Sequence, residues 1–513
     1  MAVQLKDIYF GRADGLQESE DEGFESLFYK GNQKYDLLCM DRNKFIISGR
    51  KGTGKTILAK YFECEMNKQG IPTETLTQRQ FVLSTYLEKG NFDFDSKEQE
   101  LFIEYTILRE LSRIVLKNRF KLVKFKNITR VLFIIKSLRK MEKFISERFP
   151  AENFSKINYE LCSGETSEIS NGLTGGISNN YSMSGKFVSS MQQSEKYVKN
   201  PYYNIIDSLK SNLFYLMKLL PINIIFDDLD ELDVKLDGNK ETISLLIAFI
   251  NVTNRLNIEM RRNNIANSRI IILMRSDIIK VLNENSANLN KIVADSEIRL
   301  NWVKKSNGEK LHPLMEMIAT KIRGSNSFFN GKSNEDVVAA LFAYKVHGIQ
   351  VMDYMLNNSF GRPRDIINML NMIKNEYPNE EYFDADLFKN TMVEYSHKFI
   401  DELRNELSTH YEAEVIDEGF KIVKFINQKT FWLSDVVRMF EQHKSRIKYF
   451  KTPEEFIDYA YEYGIIGNIW RNTDINAKKR KLYSWKYRED GSDTPDYSKK
   501  FTVHLALRKS LQI

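Results

Sequence analysis

The apolar run Phe45-Ile46-Ile47-Ser48 leads directly into Gly49-Arg50-Lys51-Gly52-Thr53-Gly54-Lys55-Thr56, and Ile57-Leu58-Ala59-Lys60-Tyr61-Phe62 continues with helical character. This is G-x-x-x-x-G-K-[ST] set between a strand and a helix, the context that a phosphate-binding loop requires. Glycines let successive backbone N–H groups close around phosphate oxygens, and the N-terminus of the next helix adds its positive end. The pattern assigns Lys55 to the β- and γ-phosphates and Thr56 to a Mg²⁺ ion, with Gly49, Arg50, Lys51, Gly52, Thr53, Gly54 and Ile57 completing the cradle. A glycine-rich structural turn is the bland alternative. A buried strand that enters a helix through so short a loop implies an α/β fold with a parallel sheet.

Three further segments belong with the first. Pro221-Ile222-Asn223-Ile224-Ile225-Phe226 is an apolar strand that ends in Asp227-Asp228-Leu229-Asp230-Glu231-Leu232. Phosphoanhydride hydrolysis needs one carboxylate at the metal and another at the attacking water. Asp227 is the candidate metal ligand, and Asp228 and Glu231 are candidates to polarise the water; a solvated acidic turn is the other reading. Ser268 to Asp277 supplies a third strand with a polar tip. Ligands of open parallel sheets sit beyond the carboxyl ends of strands, so Arg275 and Ser276 are expected near the γ-phosphate, Arg275 as a sensor, unless the segment is an ordinary strand exit. Gly361-Arg362-Pro363-Arg364-Asp365 precedes the helical spacing Ile366, Ile367, Met369, Leu370, Ile373, with the proline placed to start the helix. Pro363 and Arg364 either reach a nucleotide from a lid or simply open that helix.

In this order the four segments resemble the additional-strand P-loop ATPases of the AAA+ and STAND groups, in particular bacterial members allied to the origin-recognition branch. The acidic pair after Asp227 is similar to the STAND form of the second nucleotide motif, and Gly361-Arg362-Pro363 looks like the Gly-x-Pro lid motif. The resemblance covers about Phe10 to Ile373. It implies ATP and Mg²⁺ as ligands, hydrolysis as the activity, a conformational switch as the mechanism, a homo-oligomer or effector protein as partner, and antiphage defence as the setting. Adenine rather than guanine rests on the resemblance and on the lack of an Asn/Thr-Lys-x-Asp motif. The chain departs from the family in one respect: Thr56 to Asp227 is far longer than usual. The expected organisation is therefore a P-loop NTPase core over 1–80 and 201–300, an inserted helical region with a Ser/Gly-rich loop over 81–200, a helical lid over 301–410 and a winged-helix-like domain over 411–513.

The remaining observations bear on partners. Leu433 to Phe440 reads as a helix with a Ser434 cap and Pro453 to Tyr461 as another, followed by strands at Ile465–Trp470 and Lys481–Tyr487. The hairpin tip carries Lys478-Lys479-Arg480, which suits either DNA phosphates or a protein surface. A second basic stretch runs from Arg113 to Lys140 with no acid between Glu110 and Glu142. These two segments locate the excess of 75 Lys+Arg over 69 Asp+Glu. A DNA-binding initiator or loader and a nucleotide-stabilised scaffold are the competing functions. Cys39, Cys64 and Cys162 suggest neither disulfides nor a zinc site. No apolar run reaches the roughly 18–20 residues of a membrane span, so a cytoplasmic protein without membrane contact is expected.

Overall fold

The computed structural model describes residues 3–77, 96–123, 128–146, 201–229, 239–265, 267–303, 310–471, 481–488 and 492–513. Its centre is a five-stranded parallel sheet of order β2-β3-β4-β1-β5, built from β1 (Ile46–Gly49), β2 (Thr73–Thr77), β3 (Asn223–Asp227), β4 (Arg269–Arg275) and β5 (Glu297–Arg299). Every residue of β1, β3 and β4 is buried. That explains their unbroken apolar runs, since a sheet covered on both faces has no solvent side to alternate with. Strand β4 lies between β1 and β3, with Ile272 opposite Ile46 and Ile270 opposite Ile224.

Alternate residues feed two layers. Ile47, Ile225, Ile271 and Leu273 pack with Leu58, Ala59 and Phe62 of α1 (Lys55–Lys68). Ile224, Phe226, Ile270 and Ile272 face the other way, onto α2 (Ser96–Lys117), α4 (Pro201–Leu219) and α5 (Lys240–Arg262), with α3 (Ile128–Ser146) beyond α4. Each fully buried Ile or Phe in these layers contributes roughly 1.5–3 kcal/mol. Helix α2, expected within an insertion, shares this core through Phe102, Ile103, Leu108 and Leu111. The Ser/Gly-rich stretch lies outside the described residues.

Beyond the sheet come α6 (Ser276–Glu284), α7 (Pro313–Ser325), the small hairpin β6 (Lys345–Val346) and β7 (Ile349–Gln350), α8 (Pro363–Glu376), α9 (Met392–Leu407), α10 (Ala413–Ile426), α11 (Leu433–His443) and α12 (Pro453–Glu462). A four-stranded antiparallel sheet of order β10-β9-β11-β8 closes the chain, from β8 (Thr430–Phe431), β9 (Ile466–Arg471), β10 (Lys481–Ser484) and β11 (Lys500–Val503). Helices α7 to α12 and this sheet share one apolar cluster. The first residues join it too: Leu5, Ile8 and Phe10 are in the cluster, and Leu5 N–H donates to Glu380 O at 2.7 Å. Helix α11 begins at Leu433, and the carboxylate of Asp435 takes the Trp432 N–H at 2.9 Å, so Asp435 rather than Ser434 holds its start. His504 is fully buried, and accepts from Ala506 N–H at 3.3 Å while its Nε2 meets Tyr487 Oη at 3.1 Å.

Candidate nucleotide site

A cavity of about 270 Å³ opens beyond the carboxyl ends of β1, β3 and β4. Lys51, Gly52, Thr53, Gly54, Lys55, Thr56 and Ile57 line one side of it, Asp227, Asp228 and Arg275 the strand ends, and Pro363 and Arg364 the start of α8. The four sequence segments therefore converge. Ser276 does not line this cavity; it opens α6. Glu231 lies outside the described residues, as do Lys478, Lys479 and Arg480.

The loop keeps its shape through the residues that the motif contains. Gly52 and Gly54 have φ of 82° and 91°, left-handed values that residues with a Cβ avoid. Lys55 Nζ folds back to Gly49 O at 3.1 Å and Arg50 O at 3.4 Å, and Thr53 Oγ1 donates to Arg50 O at 2.8 Å. Trp302 Nε1–H holds Thr53 O at 2.9 Å. Helix α1 starts immediately after Gly54, so its first N–H groups face the cavity side of the loop.

The strand ends bring carboxylates to the same space. Asp227 is 2% exposed, and its Oδ1 accepts the Asp228 N–H at 2.9 Å. Asp228 has φ 57°, a left-handed conformation for a residue with a side chain. Such backbone strain is held at roughly 1–3 kcal/mol only where the surroundings enforce it, and it clusters at working sites. Asp227 and the Thr56 side chain, which also line the cavity, carry oxygens of the kind a hard divalent cation takes.

Gly49 and Arg50 stand behind the cavity, not in its wall. The Arg50 side chain turns away from the loop: Nη2 and Nε reach Glu406 Oε1 at 2.9 and 3.1 Å, and the guanidinium lies 4.7 Å from the ring of Phe360. Glu406 Oε2 takes Arg362 Nη1 at 2.9 Å, and that same nitrogen donates to Lys51 O at 2.9 Å. Burial alone would raise the Glu406 carboxyl, but the charges of Arg50 and Arg362 outweigh it and bring it down to about 2. Arg362 also chelates Asp365 through Nε and Nη2 at 3.0–3.2 Å. Arg364 N–H donates to Gly52 O at 3.3 Å, and its Nε to Ala13 O at 2.9 Å.

Arg275 is tied in the same way. It pairs with Asp277, donates to Thr409 Oγ1 at 2.9 Å and reaches Glu406 O at 3.3 Å. Burial pushes the Asp277 carboxyl up, yet the Arg275 charge and the hydrogen bond with His410 (2.8 Å) hold it far below the usual carboxylate range. Ser408 and Thr409, from the link between α9 and α10, also line the cavity. Glu406, Thr409, Asp277 and Trp302 carry no motif and escape sequence reasoning. The one available hint was Asp277, two residues after Arg275 at a helix entrance.

Residues 312–404 match the family described as a FunZ-associated C-terminal helical domain. The matched segment holds α7, α8 and most of α9, and so contains Arg362, Pro363 and Arg364. A search of curated proteins finds no match to the chain.

Proposed function

We propose that this chain is a Mg²⁺-dependent ATP-binding and hydrolysing switch ATPase of the AAA+/STAND kind. The observation that carries the reading is the convergence, in one cavity, of the Gly52–Ile57 loop, the two carboxylates at the end of β3, and Pro363 and Arg364 at the start of α8. The strand order supports it, since β4 stands between the strands that deliver loop and carboxylates. Backbone N–H groups at the start of α1 and Lys55 neutralise the phosphates. Thr56 and Asp227 would hold a Mg²⁺ ion, which would supply positive charge against the phosphates. Asp228 orients and polarises the attacking water, and Arg275 meets charge that develops on the γ-phosphate. Arg275 is also bonded to Thr409, and Arg50 to Glu406, so phosphate occupancy is sensed by residues of the helical unit.

The output is assembly or engagement of a partner, in a defence setting. DNA is the competing partner, and it would be met by the basic stretch Arg113–Lys140 or by Lys478-Lys479-Arg480. Steady-state hydrolysis of ATP with and without Mg²⁺ by wild type and Asp228→Asn tests the reading. Metal-dependent turnover that falls at least ~100-fold in Asp228→Asn is expected. Turnover absent from the wild type would leave only a nucleotide-stabilised scaffold.

A further inference from the structure

Part of the basic stretch Arg113–Lys140 is neutralised inside the chain. Lys117 pairs with Glu74 at 2.7 Å, Arg113 with Glu110 at 2.9 Å and with Glu74 at 3.3 Å, and Arg119 with Glu142 at 3.6 Å. Exposed Leu132 and Phe133 stand among the rest. A different surface keeps its charge. Residues 421–451 hold eight Lys or Arg against two acids, Asp435 and Glu441, spaced so that no run marks them in the sequence.

The fold gathers much of this charge on one surface. Lys421 and Lys424 lie three residues apart on the exposed side of α10. The end of α11 is brought to the same helix by His443, whose ring stacks on that of Phe425 at 4.3 Å, and Lys444 follows at once. The link to α12 is then drawn back along α10 by the buried Glu418, which accepts the N–H groups of Lys448, Tyr449 and Phe450 at 2.7–3.1 Å. Glu418 is thus bonded to backbone, and the side chains of Lys444, Arg446 and Lys448 stay in solvent. None of these five basic side chains has a carboxylate partner among the described residues. Glu441 precedes His443 by two residues, about 200° around α11, and so faces away from α10. At the other edge Glu455 takes the Lys451 N–H at 2.7 Å, and Glu454 and Asp458 are exposed on α12.

We infer that this face of α10 and the link from α11 to α12 binds the phosphate backbone of duplex DNA. The inference goes beyond the nucleotide reading and does not depend on it. Five like charges held together without partners repel one another, and a polyanion removes that repulsion. Lysine meets phosphate as a point charge. A protein partner fits less well, because protein–protein interfaces are depleted in lysine and anchored by large apolar groups. A membrane surface or a single strand would call for several exposed apolar or aromatic side chains between the charges, and Tyr449 alone supplies one here. The carboxylates of α12 bound the surface on that side, where a phosphate backbone is repelled. Contacts to phosphates carry no sequence information, so this face holds DNA of any sequence.

The test is fluorescence anisotropy of a labelled DNA duplex titrated with the full chain between roughly 50 and 200 mM salt. Wild type is compared with two double variants, Lys421→Gln with Lys424→Gln on α10, and Lys444→Gln with Lys448→Gln on the link. Each is expected to lower the slope of log affinity against log salt by about 2 and to weaken binding at least ~10-fold at the lower salt. Lys136→Gln with Arg139→Gln on α3 is expected to leave the slope as it is, and duplexes of unrelated sequence should bind within about threefold of one another. The substituted side chains are exposed and the two double variants lie on different elements, so a folding defect in one, seen by thermal unfolding, leaves the other to decide. An unchanged slope in a folded double variant, a larger loss from the α3 variant, or no binding of DNA by wild type would overturn the inference. Binding to phosphatidylserine vesicles without binding to DNA would overturn it as well, and would assign the face to a membrane.

Discussion

Arg50, the second residue of the glycine-rich loop, gives its guanidinium to Glu406 at the end of α9, with Nη2 and Nε at 2.9 and 3.1 Å from one carboxylate oxygen. The loop that would hold phosphate is thereby bonded to the helical unit more than 350 residues later in the chain. Glu406 is buried and Arg50 half-buried, at side-chain exposures of 4% and 17%, so solvent screens the pair little.

Glu406→Gln should therefore lower stability by about 3 kcal/mol, because Arg50 and Arg362 lose the charge that compensates their burial. Acid titration distinguishes this from a general packing defect. The Glu406 carboxyl lies at about 2 in the folded chain, against ~4.3 when unfolded. Its contribution is complete above the unfolded value and disappears as pH falls toward the folded one. Urea unfolding followed between pH ~4.5 and ~2 should lose on the order of 3 kcal/mol more in wild type than in Glu406→Gln.

Asp228 should show a conflict between stability and activity. Its φ of 57° is free of penalty only for glycine. Asp228→Gly is expected to raise unfolding free energy by about 1 kcal/mol while hydrolysis falls at least ~100-fold. ATP affinity should stay within about threefold, since the phosphate cradle is untouched. Denaturant unfolding and single-turnover kinetics on the same protein check both halves.

The two left-handed loop glycines should differ. A Cβ on Gly54 meets nothing within 4 Å, whereas one on Gly52 would lie 2.9 Å from Arg364 Cβ. Gly54→Ala should carry only the backbone penalty, about 1–2 kcal/mol. Gly52→Ala should add displacement of the start of α8 and lose the Arg364 N–H bond to Gly52 O. Thermal unfolding of the two variants is expected to rank Gly52→Ala below Gly54→Ala.

Arg50→Lys keeps the charge but cannot reproduce the two-nitrogen contact with Glu406 or the stacking on Phe360. ATP binding should change by less than about threefold, yet nucleotide-induced protection in α9 and α10, read by hydrogen exchange, should fall sharply. Protection equal to wild type would remove Arg50 from the coupling route.

What could be read from the chain beforehand follows from how local each feature is. Strands β1, β3 and β4 were legible because their apolar runs are continuous, and the loop glycines and Lys55 because a motif at fixed spacing encodes them. The meeting of Pro363 and Arg364 with the loop was one of two readings of that helix entrance, and the resemblance favoured it. Glu406 and Thr409 were illegible: a glutamate and a threonine near a helix end look like solvent-facing residues, and only the folded chain brings them to Arg50 and Arg275. The cap of α11 shows a smaller error of the same type, since Ser434 and Asp435 are both capping residues and only geometry tells which one reaches Trp432 N–H.

The most direct test of the central claim is equilibrium binding of ATP with Mg²⁺ to wild type and Lys55→Ala, measured by calorimetry on the full chain. The account predicts one ATP bound per chain and an affinity at least ~100-fold weaker in Lys55→Ala, the loss expected when a charge-assisted phosphate contact disappears. No binding to wild type, or equal binding to both proteins, would contradict it.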